Sequence, residues 1–537
     1  MKKKVSKLAV LSMILGGTGV FFALLRAVVL LVVAIPLGPA ALLSGLLAIW
    51  VIRRRSATLR GTRLAIWGAC LGIIGTLLSM VVLAGMFTGQ FDPDQMRQQQ
   101  EGRMQRTASR NAMPGEALTN FTSNLPIIVL QTEKDGRSRR NGTIARAQFF
   151  DIKGDAHRAS IKEKPDHEGL ISFHPRGNTS LHLPKHSYTL HTLDAETNQT
   201  KIGLFGLPKE EDWVLYASFE DKTMIRDVLA FQLANKMGRY APRTRYVELF
   251  QQDASEPLSM RHYSGVYVLM EKIKRGKERV NIAQLKAEDA SEPEITGGYI
   301  LKRDHGEDGG KRFRTERGGP YFFVYPKPEE ITAEQRAWIT RYFKSFEAAL
   351  YGPDFADVKT GYAAFLEVDA FIDAHWLVEL SKNVDGFRYS SFLTKDRGGK
   401  IRPGPAWDWN RSFGNANYYG GWQTQGWYSS NLRPNEICWY DRLSEDPAFL
   451  KRCNARWRAL RKNIFDPAKI NATIDQLARE LEEAQQRNFQ RWPILGEQIT
   501  SNHYVGQTYR DEVQWLKKWV ERRIAWIDNE MGEGRAR

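Results

Sequence analysis

The chain has 537 residues, of which 42% are apolar and 26% charged, with three cysteines and a formal net charge of +16. The length exceeds what one core organises, the composition excludes disorder throughout, and three cysteines exclude a disulfide scaffold or a four-cysteine zinc site. Ten Lys/Arg and no acid fall within residues 1–63, so the basic excess is mostly N-terminal and a nucleic-acid surface on the remainder has little support.

Three apolar runs, 8–25, 27–52 and 64–88, each approach or exceed the roughly 20 residues that cross a bilayer as a helix. Residues 1–89 therefore read as a transmembrane region of two or three helices, with the lipid bilayer as a partner. No small-x-small cleavage site separates the first two runs, which argues against a removed signal peptide. Lys2, Lys3, Lys4 and Lys7 precede the first run, and Arg53, Arg54, Arg55, Arg60 and Arg63 precede the third. Kept cytoplasmic, these clusters make 8–52 a hairpin and send the third run outward. The C-terminal part is then expected outside the cytoplasm of a bacterial cell, against which Arg97, Arg103, Arg106 and Arg110 argue. The stretch Leu64–Gly72 after a basic loop resembles a small bacterial membrane module. Residues 90–122, polar and Gln-rich, are expected to be a flexible linker.

From residue 123 onward the pattern is that of an α+β domain. Strands are predicted at Pro126–Leu130, Ala145–Phe150, Leu170–His174, Ser187–Thr192 and Trp213–Ala217, then at Tyr246–Phe250, Gly265–Glu271 and Gly298–Lys302. One helix, Met224–Met237, interrupts them. Beyond residue 333 the spacing turns helical over Ala333–Tyr351, Gly361–Lys382, Asp446–Lys462, 468–490 and Arg510–Met531. A β-rich lobe followed by an α-rich lobe can hold a ligand between them. Cys438 and Cys453 are either one bridge or two buried thiols.

The densest polar constellation is Asn383-Val-Asp385 with Trp407-Asp408-Trp409-Asn410. The first ends a predicted helix and the second a predicted strand, and Arg388–Pro405 between them looks like a hairpin that brings its ends together. Two carboxylates there suit a divalent metal, or a base-and-metal division of labour, since Mg²⁺ takes hard oxygens from one or two carboxylates plus phosphate; otherwise they cap turns. Arg176-Gly-Asn-Thr-Ser180 and Lys185 offer cations and turn donors suited to phosphate, or form an ordinary basic hairpin. Lys302 and Glu271 end apolar strands, as surface charges or as a Lys–Glu pair that positions phosphates. No GK[ST], HExxH or GxSxG motif occurs, which lowers Walker-type, zinc-hydrolase and acyl-transfer readings.

These segments, in order, resemble the CotH (spore coat protein H) family of atypical protein kinases. The match runs through Arg176–Ser180, Pro184–Tyr188, Asp221-Lys-Thr-Met-Ile-Arg226-Asp227, Gly265–Glu271, Gly298–Lys302, Asn383–Asp385 and Trp407–Gly414. The resemblance implies a two-lobed kinase-like fold, ATP with Mg²⁺ or Mn²⁺, and phosphoryl transfer to Ser/Thr of proteins, itself included. It makes Asp385 the catalytic carboxylate, Asp408 and Asn410 metal ligands, and Arg176, Lys185, Glu271 and Lys302 the nucleotide- and phosphate-binding set. Two positions depart from the family pattern. Ser390 stands where the family often has Asn, and Asn410 where it often has a second Asp. The alternatives are a catalytically inactive surface-binding protein on the same fold, and transfer to a non-protein acceptor.

Overall fold

The computed structural model describes residues 113–532, apart from 133–137, 140–141, 155–156, 305–310, 433–435 and 437–438. In the N-terminal unit, Met1–Arg106, it describes a parallel pairing of Lys4–Val5 with Leu59–Arg60. The apolar runs 8–25, 27–52 and 64–88 lie outside the described residues, as do residues 90–112 of the expected linker and Cys438. Among the described residues no helix is long and apolar enough to cross a membrane. The last ten linker residues belong to the folded part: Met113 is buried, and Leu118 and Phe121 pack against Ile127, Val129, Phe250 and Tyr263.

The second unit, Thr107–Arg537, opens with a closed barrel. Its strands are β1 (Ile127–Thr132), β2 (Gly142–Phe150), β3 (His167–Arg176), β4 (Ser187–Leu193), β5 (Asp212–Tyr216), β6 (Thr244–Asp253) and β7 (Tyr263–Glu271), with helix α1 (Arg226–Lys236) between β5 and β6. The spatial order is β1-β6-β7-β5-β4-β3-β2, and β2 pairs back onto β1. All neighbours are antiparallel except β1 and β6, which run parallel. Closure leaves no exposed ladder between the first and last strands. Strand alternation fills the interior with Ile128, Leu130, Ala145, Ala147, Phe149, Ile171, Phe173, Leu190, Trp213, Leu215, Val247, Leu249, Tyr267 and Leu269. Residues of opposite parity point outward.

A second, five-stranded antiparallel sheet follows. It is built from β8 (Tyr299–Arg303), β9 (Arg312–Phe313), β10 (Tyr321–Tyr325), β11 (Ser391–Lys395) and β12 (Ile401–Pro403), in the order β9-β10-β8-β11-β12. Its longer helices are α2 (Ala333–Tyr351), α3 (Val368–Ser381), α4 (Pro447–Arg461), α5 (Pro467–Leu481), α6 (Ala484–Arg491) and α7 (Tyr509–Gly532). Local sequence sets their starts. Thr332 and Gln335 form a capping box on α2, and Asp446-Pro447 and Asp466-Pro467 supply a side-chain cap and a proline in the first turn of α4 and α5. The predicted 468–490 helix is in fact two, divided at Glu482–Glu483. α3 is buried over most of its length and ends at Lys382 in the left-handed conformation, φ 45°. Arg523 of α7 grips that end, donating to the Glu379 carbonyl at 3.0 Å and its carboxylate at 3.0 Å. The backbone that leads into Asp385 is thus rigidly mounted.

Candidate active site

A cleft of about 860 Å³ lies against the outer face of the barrel. Ser187 and Thr189 of β4, Val214 and Tyr216 of β5 and Met270 of β7 form one wall, and the Arg176–Lys185 turn forms a rim. The lining also takes in a hairpin side, with Asp385, Ser390, Asp408 and Asn410. The hairpin expectation accounts for that side: β11 and β12 pair antiparallel, Leu393 opposite Pro403 and Lys395 opposite Ile401. Asn383 ties the two mouths of the hairpin, its amide donating to the Asp408 carbonyl at 3.3 Å and its Oδ1 accepting from the Asp385 backbone at 3.1 Å.

Asp385 accepts from Arg388 Nη2 at 3.1 Å, and the other arm of that guanidinium reaches Glu436 at 3.0 Å. Arg388 also lies 4.1 Å above the Tyr419 ring, so its fork is fixed. Asp408 has φ 64°, a left-handed conformation costly for a residue with a Cβ, and such strain collects at functional loops. Its Oδ2 accepts from the Ser390 hydroxyl at 2.9 Å. Burial first, then the Asp385 charge, pushes the Asp408 carboxyl up to about 6, against the pull of Ser390 and Arg411. Asn410 turns its amide to Glu220 at 3.2 Å, and Glu220 also accepts from Arg411 at 2.9 Å and Thr500 at 2.6 Å.

On the rim, Gly177 has φ 126°, and a Cβ there would meet the Ser180 hydroxyl at 1.9 Å, so the turn demands glycine. Arg176 lies 5.1 Å over the Trp407 ring, and its buried Nη1 has no hydrogen-bond partner among the described residues. Burial lowers the guanidinium to about 10, with Asp408 partly opposing. An unpartnered buried N–H directed to a cleft is a ready anion donor. Lys302 lines the cleft, with Nζ 3.2 Å from Asp304. Lys185 is almost wholly buried. Its amine donates to the Val266 carbonyl at 2.5 Å and Asn488 Oδ1 at 2.9 Å, over the Tyr267 ring at 4.8 Å. Burial, with Arg491 beside it, holds that amine well below its ordinary pKa. Gly265 makes the approach possible, since a Cβ there would crowd Asn488 Oδ1 at 2.7 Å and Lys185 Cε at 3.2 Å.

Glu271 does not join this set. It shares the strand face of Tyr267 and Leu269, is fully buried and does not line the cleft. Its carboxylate is taken by Arg243 at 2.7 and 3.1 Å, the Arg243 backbone at 3.0 Å and the Tyr240 hydroxyl at 3.1 Å. The expected Lys–Glu pair is therefore absent for both Lys185 and Lys302. Its neighbour Lys272, of the opposite parity, lines the cleft instead. Sequence reasoning also gave no role to Glu220 or Asp227, although Asp227 stands inside a segment that carried the family resemblance. A third acidic group, Glu210-Glu211-Asp212, has metal-like spacing. Lys274 already sits among its carboxylates at 3.3, 2.7 and 2.6 Å, with His191 2.7 Å from Asp212.

The cleft thus gathers hard carboxylate oxygens and cationic donors, and the two sets suit a metal–phosphate ligand: Asp408 with Asp385 for the cation, Arg176 and Lys302 for the anion. The family model described as CotH kinase protein matches residues 173–527, a span that holds every one of these residues. No curated protein matches the chain.

Proposed function

The chain belongs to the CotH kinase protein family, and from that premise we propose that the cleft binds ATP with Mg²⁺ or Mn²⁺ and transfers the γ-phosphoryl group to Ser or Thr hydroxyls of proteins, its own included. The observation that carries this reading is the convergence of the Asp385 and Asp408 carboxylates with the Arg176 and Lys302 cations in one cleft. Phosphoryl transfer asks little covalent chemistry of a protein; positioning and charge stabilisation do most of the work.

Asp385 is the residue to orient the acceptor hydroxyl and receive its proton, with Arg388 fixing the carboxylate's direction. Asp408 would hold the cation, and the Ser390 hydroxyl keeps its Oδ2 aimed. A divalent cation bound there would neutralise phosphate charge and align the transferred group. Arg176 offers Nη1 to the phosphates, and Trp407 beneath it keeps the fork planar against the rim. In the kinase template the phosphate-binding lysine pairs with a glutamate. Here Lys185 has Asn488 and a carbonyl as acceptors, so the template's charge pair is replaced by a neutral, dry contact. Asn410 contributes through Glu220, as part of the wall behind Asp408.

The apolar runs 8–25, 27–52 and 64–88, with their flanking cations, support anchoring in a bacterial cytoplasmic membrane with the kinase domain outside the cytoplasm. Reporter fusions at the C-terminus test that placement.

Incubating the full-length chain with γ-labelled ATP and Mg²⁺ or Mn²⁺, followed by phosphoamino-acid analysis, tests the activity. Label in phosphoserine or phosphothreonine is expected. Label that enters only a non-protein acceptor would replace the protein-kinase reading, and the absence of transfer together with absence of ATP binding would leave an inactive binding protein on this fold.

A further inference from the structure

Asp227, the second residue of α1, lines the cleft beside the Asp408 loop. Its position is set from both ends. Behind it, Asp221 caps the start of α1, accepting from the Arg226 backbone at 2.9 Å and from the Arg226 side chain at 2.5 Å, while Arg226 Nε donates to the Ser412 carbonyl at 3.1 Å. In front, Asp227 Oδ1 accepts the backbone N–H of Trp409 at 2.7 Å, the residue that follows Asp408. The first turn of α1 and the Asp408 loop are therefore pinned to each other.

The second carboxylate oxygen is the anomaly. Asp227 is only 5% exposed and lines the cleft, and its buried Oδ2 makes no hydrogen bond of good geometry among the described residues, although the Tyr216 hydroxyl lies beside the carboxylate. A buried carboxylate oxygen without a well-formed hydrogen bond is among the costliest unsatisfied groups a fold can keep. A second carboxylate, that of Asp408, lines the cleft beside it, and among the described residues no lysine or arginine is paired with Asp227 as Lys274 is with the Glu210–Asp212 group. The geometry points to Asp227 as a ligand, through Oδ2, of the same divalent cation that Asp408 would hold, so that α1 and the β12-side loop close on one ion. This rests on the proposed function of the cleft and adds to it a ligand from the barrel half of the domain. It also assigns a role to the Asp221–Asp227 segment: Asp221 and Arg226 are positioning residues that deliver the carboxylate.

Mn²⁺ binding to the full-length protein in detergent, followed by loss of the free-ion EPR signal with and without a non-hydrolysable ATP analogue, tests the assignment on wild type, Asp227→Asn and Asp408→Asn. The asparagine at 227 keeps an acceptor for the Trp409 N–H. Wild-type binding that weakens tenfold or more in both variants, with melting in EDTA unchanged or raised, is the expected result. Weakening in Asp408→Asn with Asp227→Asn within twofold of wild type would overturn the role of Asp227 and leave the cleft reading intact. Failure of the wild type to bind Mn²⁺ in either condition would sink the metal reading of the cleft and this inference with it. If Asp227→Asn does not fold, Asp227→Ser, which also leaves an acceptor and removes the carboxylate, is judged by the same criteria.

Discussion

The Ser390 hydroxyl donates to Asp408 Oδ2 at 2.9 Å, linking the residue five places after Asp385 to the carboxylate at the far end of the hairpin. The Ser390 side chain is therefore turned toward Asp408, and Ser390 itself has φ 48° to reach it. A hydrogen bond to a charged acceptor contributes about 1.5–3 kcal/mol. Ser390→Ala is expected to lower phosphoryl transfer about tenfold and to move the acid limb of the kcat profile to higher pH, because the bond holds the Asp408 pKa down. Initial rates between pH 5 and 9 check this; an unchanged profile would remove Ser390 from the site.

Asp408 should cost the fold stability that its function requires. The folded protein keeps this carboxyl protonated up to about pH 6, whereas an ordinary aspartate does so only to 3.8. The folded state thus binds more protons between those values, so its stability falls as pH rises through that window and stays lower above it. Asp408→Asn is expected to be more stable than wild type by about 2 kcal/mol at pH 8 in EDTA, with the difference shrinking toward pH 4, and to be inactive. Urea unfolding at the two pH values measures it; a variant less stable at pH 8 would contradict the account.

Glu271 is expected to behave as a structural residue. Removing its carboxylate leaves Arg243 and the Tyr240 hydroxyl without their partner at the end of the barrel. Glu271→Ala should lower the urea midpoint, by about 3 kcal/mol in stability, and leave ATP affinity of the folded fraction within twofold. A tenfold loss of ATP affinity at unchanged stability would restore the Lys–Glu pair.

Arg176→Met should do the reverse. Its buried Nη1 has no hydrogen-bond partner among the described residues, and methionine keeps contact with Trp407 without the desolvated charge. ATP affinity is expected to fall at least tenfold while the melting temperature holds or rises, measured by calorimetry and thermal melting of one preparation.

Much of this architecture follows from local pattern. Alternation along Trp213-Val-Leu-Tyr216 separates barrel interior from cleft wall, and Asp-Pro pairs mark two helix starts. Barrel closure was not legible, because β1 and β6 join segments more than a hundred residues apart and no local signal records their register. The strand Tyr321–Tyr325 was missed because its aromatic run is bounded by prolines and reads as a loop. Asp385, Asp408, Arg176, Lys185 and Lys302 all reach the cleft. Glu271 does not, because period two places it inward with Leu269 while Lys272 faces the ligand side. Asp227 was passed over because an acid in the first turn of a helix ordinarily serves the helix, and only the tertiary contact with Trp409 shows otherwise.

The most direct measurement is transfer of label from γ-labelled ATP by the full-length chain, side by side with Asp385→Asn and Asp408→Asn, with ATP binding measured on each. The account predicts label on wild-type protein, loss of transfer with retained ATP binding in Asp385→Asn, and loss of transfer with weakened metal-dependent ATP binding in Asp408→Asn. Equal labelling of all three proteins would contradict it, since the chemistry would then lie outside the cleft that these two aspartates share.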